Sequence, residues 1–205
     1  MPNVISLRER LEMIVDESYR IMCNKIATDE FTIPNEASMQ LQLGLILKQL
    51  GKLYEFSSQE HFYVEFESVQ EISQTAKSKN GKGRCDINLT FTSGDITEVV
   101  AIELKFLKKD KNEAVTDSKF SVYCDIENLE NYQKNNPNLL CYEIVYTNNP
   151  NYTLVKDTKM CIGSGAVLLP GKYSYTQNRK ITLCKEHHLQ WDVYNNKHCF
   201  LKVKF

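Results

Sequence analysis

Asp86, Glu103 and Lys105 are the residues of this 205-residue chain whose types and spacing point to chemistry. Glu103 and Lys105 stand two positions apart in the apolar run 99–107, so their side chains leave the same face of a strand. Asp86 lies in the preceding strand-like segment, on the face not filled by Ile87, Leu89 and Phe91. Two adjacent carboxylates repel unless a cation lies between them. Hard oxygen ligands beside an ammonium suit Mg²⁺, with Mn²⁺ as a substitute, because Mg²⁺ binds through one or two carboxylates and keeps waters and a phosphate oxygen in its shell. Lys105 would then hold an attacking water or stabilise charge building on phosphorus. On this reading, removing either carboxylate relieves repulsion and leaves the fold intact or slightly more stable.

A Glu-x-Lys triplet alone is ordinary surface chemistry on a strand. Its flanks set this one apart. Val99, Val100, Ala101, Ile102, Leu104, Phe106 and Leu107 describe a central, buried strand, where charges on the second face are costly unless paired or metal-bound.

The elements that must position these groups follow from periodicity. Ser6 and Glu9 form a capping box, and Leu7, Leu11, Ile14, Val15, Met22 and Ile26 recur at helical spacing, which predicts a helix over 6–27. After Pro34, a second stripe of Glu36, Met39, Leu43, Ile46, Leu47 and Leu50 ends at Gly51. Glu36 falls in its first turn, where the helix dipole favours a carboxylate. Alternation through Phe62, Val64 and Phe66, then Cys85 to Phe91, then 99–107 predicts a meander of three strands. A charged loop over 108–119 leads to a helix with the stripe Val122, Ile126, Leu129 and Tyr132, and 139–146 reads as a buried strand. Asp125 and Tyr123 are expected to face water, and Gln40 and Gln42 to be exposed polar residues. Beyond Pro150 come short β-like runs and a terminal hairpin, 189–194 with 199–205. The expectation is one α/β domain over 1–205, with a core at 33–150, an N-terminal helix and a β-rich extension at 151–205.

Asp86, followed after 17 positions by Glu103-Leu104-Lys105, with Glu36 upstream and the order helix, three-strand meander, helix, strand, resembles the PD-(D/E)XK nuclease superfamily. The resemblance covers roughly 33–150, and Cys85 stands where the family's name has proline. It implies a restriction-endonuclease-like fold, a central mixed β-sheet flanked by helices. It also implies Asp86 and Glu103 as metal ligands, Lys105 as the catalytic lysine and Glu36 as the extra helix carboxylate some members use. The activity implied is Mg²⁺-dependent hydrolysis of DNA by a prokaryotic restriction or defence nuclease.

Two basic stretches flank the triad: Lys77, Lys79, Lys82 and Arg84 before it, and Lys108, Lys109 and Lys111 after it. With a net charge of −1, DNA affinity must come from such local patches acting on phosphates. One centre cuts one strand, so a homodimer is expected, formed through the first helix or the terminal hairpin. Two other readings keep the fold: a non-catalytic nucleic-acid-binding or assembly subunit, and an RNA- or junction-specific nuclease. No segment approaches the about 18 apolar residues of a membrane span, and the seven cysteines lack a CxxC pair, so a reduced, cytoplasmic protein is expected. Cys184, His187, His188, His198 and Cys199 fit no standard zinc spacing.

Overall fold

The computed structural model describes residues 5–71, 82–108, 115–156 and 160–205. Helix α1 (Leu7–Ala27) opens on the expected capping box: the Ser6 hydroxyl accepts from the Glu9 N–H, and the Glu9 carboxylate accepts from the Ser6 N–H. Its stripe is buried inside its own domain, with Leu11, Ile14 and Met22 at 0 % exposure. The stripe is therefore not available as a dimer surface. Helix α2 (Glu36–Leu53) starts at Asn35, whose side chain accepts from the Ser38 N–H at 2.8 Å.

Helix α2 lies close on strand β1 (Glu60–Glu71) because two glycines face that strand's rings. A Cβ at Gly51 would stand 2.0 Å from the Phe62 ring, and one at Gly44 would stand 2.3 Å from the Phe66 ring. Phe62 is buried and Phe66 is 43 % exposed, so only Phe66 can swing away. Gly51→Ala is expected to destabilise the protein by about 1–3 kcal/mol through overpacking. Gly44→Ala should be close to neutral, its strain offset by a helix-propensity gain of about 1 kcal/mol. Urea midpoints of the two variants provide the comparison, and equal losses would contradict it.

Strands β2 (Lys82–Ser93) and β3 (Ile96–Leu107) complete the meander with β1. Helix α3 (Val115–Asn135) begins within the stretch expected to be loop, because 115–119 continues the helical turn below the Val122 stripe. Strand β4 (Leu140–Thr147) runs parallel to β3 and is buried throughout. After a short 3₁₀ turn (Pro150–Thr153), the chain forms β5 (Val167–Leu168), β6 (Gly171–Ser174), β7 (Lys180–Leu183), β8 (His187–His188), β9 (Trp191–Tyr194) and β10 (His198–Lys204). The six-stranded sheet has the order β1-β2-β3-β4-β10-β9, mixed because β3 and β4 are parallel while its other pairs are antiparallel. The terminal hairpin thus extends the main sheet instead of being added to it.

Both faces of the sheet are covered. Helices α1 and α2 pack on Ile87, Leu89, Ile102, Leu104, Tyr142 and Ile144, while α3 and the small β6–β7 and β5–β8 ribbons cover Ala101, Cys141, Val145 and Leu201. The face expected to hold the charged triad outside the core is itself a second core. Among the described residues, no helix is long and apolar enough to cross a membrane. All seven cysteines are free and five are buried, as thiols used for packing would be.

Candidate active site

The site is built on a fork in the sheet. The β2–β3 ladder ends at Ile87↔Ile102, although β2 continues to Lys82 against β1 and β3 continues to Leu107 against β4. Beyond the fork, the β3 donors that would have paired with β2 need other acceptors. Asp86 Oδ2 takes the Leu104 N–H at 2.6 Å, and Glu36 Oε2 takes the Phe106 N–H at 3.1 Å. Two carboxylates thus replace two missing rungs of the ladder.

A change of face in β2 accompanies the fork. Cys85 packs toward α3 and Ile87 toward α1 and α2, whereas regular alternation would place both on one side. Opposite Asp86, Glu67 of β1 has φ 54, a left-handed conformation costing a non-glycine residue about 1–2 kcal/mol. Asp86 therefore reaches a β3 backbone donor and is not held out on the face that carries Glu103 and Lys105, contrary to the expectation from simple alternation. Gln40 of α2 fastens the kink by donating to the Asp86 carbonyl at 2.6 Å and to Glu67 at 3.3 Å, so it is a site residue and not merely an exposed polar group.

Lys105 is the hub. Its ammonium lies 3.0 Å from each Glu36 oxygen and 3.5 Å from Asp125 Oδ2. Asp125, expected to face water, is fully buried, and Tyr123 is buried with its hydroxyl on the Cys161 carbonyl. Burial pulls the Lys105 ammonium down, but the carboxylates of Glu36, Glu143 and Asp86 outweigh it and hold the group above its ordinary value. Glu143 of β4 sits beside Glu103 in the parallel register and is fully buried. Glu103, 4 % exposed, accepts from the Tyr132 hydroxyl of α3 at 3.0 Å. Burial and the Glu103 charge together push the Tyr132 phenol far up. Burial, then the same charge, push the Cys85 thiol well above its usual value.

Five carboxylates, Glu36, Asp86, Glu103, Asp125 and Glu143, thus surround or approach one ammonium. Tyr132, Asp125 and Glu143 extend the set first read from the strands. Glu143 had a visible signal as the one charge in the strand 140–147, and Asp125 had one too, lying at i+3 from Val122 and i−4 from Leu129 on the buried stripe.

The donor set suits a hard cation, since carboxylate oxygen dominates it. Among the described residues, no three His, Cys, Asp or Glu side chains gather into a ready-made cage. Mg²⁺ needs only one or two protein carboxylates. Asp86 and Glu103 each accept a hydrogen bond through one oxygen, and a carboxylate has lone pairs for more than one such partner. The hydrogen bonds argue against the expectation that losing either carboxylate relaxes the fold: Asp86→Ala would leave the Leu104 N–H, and Glu103→Ala the buried Tyr132 hydroxyl, without this acceptor.

Of the basic residues, Arg84 is exposed on β2 and Lys108 is exposed just past the end of β3, both at the forked end. Lys77, Lys79, Lys109, Lys111 and the side chain of Lys82 lie outside the described residues. The C-terminal Cys and His residues disperse. His187 pairs with buried Glu130, His188 with exposed Glu186 and His198 with the Tyr146 hydroxyl.

The chain matches no protein-family model, no curated protein and no solved structure.

Proposed function

We propose that this protein is a metal-dependent phosphodiesterase of the restriction-endonuclease-like kind, acting on DNA with Mg²⁺ or Mn²⁺. The observation that carries the reading is the gathering of Glu36, Asp86, Glu103, Asp125 and Glu143 at the sheet fork around Lys105, whose ammonium lies 3.0 Å from Glu36 and 3.5 Å from Asp125. Low-dielectric sites of one charge sign cluster where function requires them. Asp86 and Glu103 would hold the cation, which when bound lowers the pKa of a water and neutralises charge on phosphate oxygens. Lys105 aims its ammonium at the phosphate, and Glu36, 40 % exposed at its side chain, keeps that ammonium at the solvent side of the cluster.

A second reading has its own support. Asp86, Glu36 and Glu103 each already satisfy a protein donor, as carboxylates in a structural ion cluster would. In that case the protein is a non-catalytic nucleic-acid-binding or assembly subunit.

Incubating the protein with supercoiled plasmid and Mg²⁺ separates the two. Nicked or linear product that disappears with chelator, and with Glu103→Gln, supports the nuclease. Glu103→Gln suits this test because the amide oxygen still accepts from Tyr132 and the charge alone is lost. Intact plasmid under all divalent metals, with no Mn²⁺ binding by calorimetry, would leave the structural cluster as the answer.

A further inference from the structure

We propose that the outward face of the β6–β7 hairpin is a docking surface for the phosphate backbone of duplex DNA. The assignment of DNA as the ligand rests on the nuclease reading, whereas the surface itself rests on charge and geometry. Charge is unevenly spread along the chain. Residues 151–205 carry nine Lys and Arg against three Asp and Glu, while residues 1–150 carry sixteen against twenty-three. Lys197, Lys202 and Lys204 of this segment pair with Asp29, Asp16 and Glu12, whereas Lys172 and Lys180 stand on the β6–β7 hairpin that folds over α3, and a polyanion is their complementary partner.

The hairpin separates its two faces cleanly. Tyr173, Ile181 and Leu183 point inward to pack on α3, while Lys172, Ser174, Lys180 and Thr182 are exposed on the other face. Lys172 pairs with Thr182 and Ser174 with Lys180, which puts the two lysines on one diagonal about 7–8 Å apart. Among the described residues, neither lysine is in an ion pair. The platform is held rigidly. Glu127 of α3 accepts from the Thr182 N–H at 2.7 Å, and Glu130 accepts from the Cys184 and Lys185 N–H groups at 2.6 and 2.9 Å. At the hairpin turn, Arg179 lies over the Phe120 and Tyr175 rings and pairs with Asp117.

The hairpin turn and the site meet the same helix. Asp117, beneath the hairpin turn, and Asp125, against Lys105, are eight residues apart on α3. That is about 12 Å along the helix axis, or three to four steps of about 3.4 Å along one DNA strand. A duplex seated at the fork would present flanking phosphates to Lys172 and Lys180.

The test is binding of a fluorescein-labelled duplex of roughly two helical turns, by anisotropy, without divalent metal and between about 50 and 200 mM salt. The double variant Lys172→Glu with Lys180→Glu should bind more weakly than the wild type, with the slope of log K against log salt shallower by about two. A matched reversal across the sheet, Lys25→Glu with Lys48→Glu on α1 and α2, should leave both unchanged. An unaltered slope in the hairpin variant, equal weakening by the matched pair, or no duplex binding by the wild type overturns the proposal. Failure of the nuclease reading has a different signature: the hairpin-dependent binding persists, and no metal produces cleavage.

Discussion

Replacing Lys105 by alanine is expected to lower Mg²⁺-dependent turnover on duplex DNA by about 10²–10³-fold, the usual cost of removing one electrostatic stabiliser of a transition state. Affinity for DNA should change little, because the group lies in the fork and only 15 % of its side chain is exposed. The same substitution removes the cation between Glu36 and fully buried Asp125, so the fold should lose about 3–5 kcal/mol, as when one partner of a buried pair is deleted. Lys105→Arg separates the two effects. It restores the positive charge, and with it stability, but its planar guanidinium cannot reproduce a point ammonium at the phosphate. Recovery of turnover together with stability in Lys105→Arg would show that charge alone matters at this position. Because the surrounding carboxylates raise the ammonium's pKa above its ordinary value, its contribution is complete below about pH 10 and is lost only as pH climbs through the raised value. Neutral and mildly acidic assays therefore all report the charged form.

The second large effect is expected far from the site. Arg10 of α1 is 4 % exposed and grips Glu60 with two hydrogen bonds, 2.8 and 2.7 Å, while also donating to the Tyr54 carbonyl at 2.7 Å. Its guanidinium lies over the Phe56 and Phe91 rings. This one side chain ties α1 to the end of α2 and the start of β1. Arg10→Ala strands the Glu60 carboxylate in a buried position, and a loss of about 3–5 kcal/mol is expected. The Arg10 guanidinium, aided by the Phe56 N–H and opposed by burial, holds the Glu60 carboxyl down at about 2. A depressed folded value means that the stabilisation is present above the unfolded value near 4.5 and disappears as pH falls through about 2. Urea titrations at neutral pH and at pH about 2 should therefore show wild type and Arg10→Ala far apart in the first and converging in the second. A constant gap across that range would place the cost in lost ring packing and not in the ion pair.

Much of this architecture was legible from residue order. Ser6 and Glu9 marked the first helix, the alternation from Phe62 to Leu107 marked the meander, and the run around Glu103 and Lys105 marked a central strand carrying costly charges. Those features are local: caps, periods of 3.6 and 2, and apolar runs depend on neighbours within a few positions. What the tertiary structure decided was everything requiring a second partner. Strand alternation shows that Glu103 and Lys105 share a face, but not that α3 seals that face, turning Asp125 and Tyr132 from expected surface and stripe residues into partners of Lys105 and Glu103. Nor does it show that β2 and β3 part at Ile87 and Ile102, which leaves the Leu104 and Phe106 donors to Asp86 and Glu36. The N-terminal helix and the terminal hairpin looked like additions because their partners lie far along the chain. They belong to the core because β10 pairs with β4 and the α1 stripe meets the sheet. Periodicity assigns a residue to a face, and only long-range packing determines what covers that face.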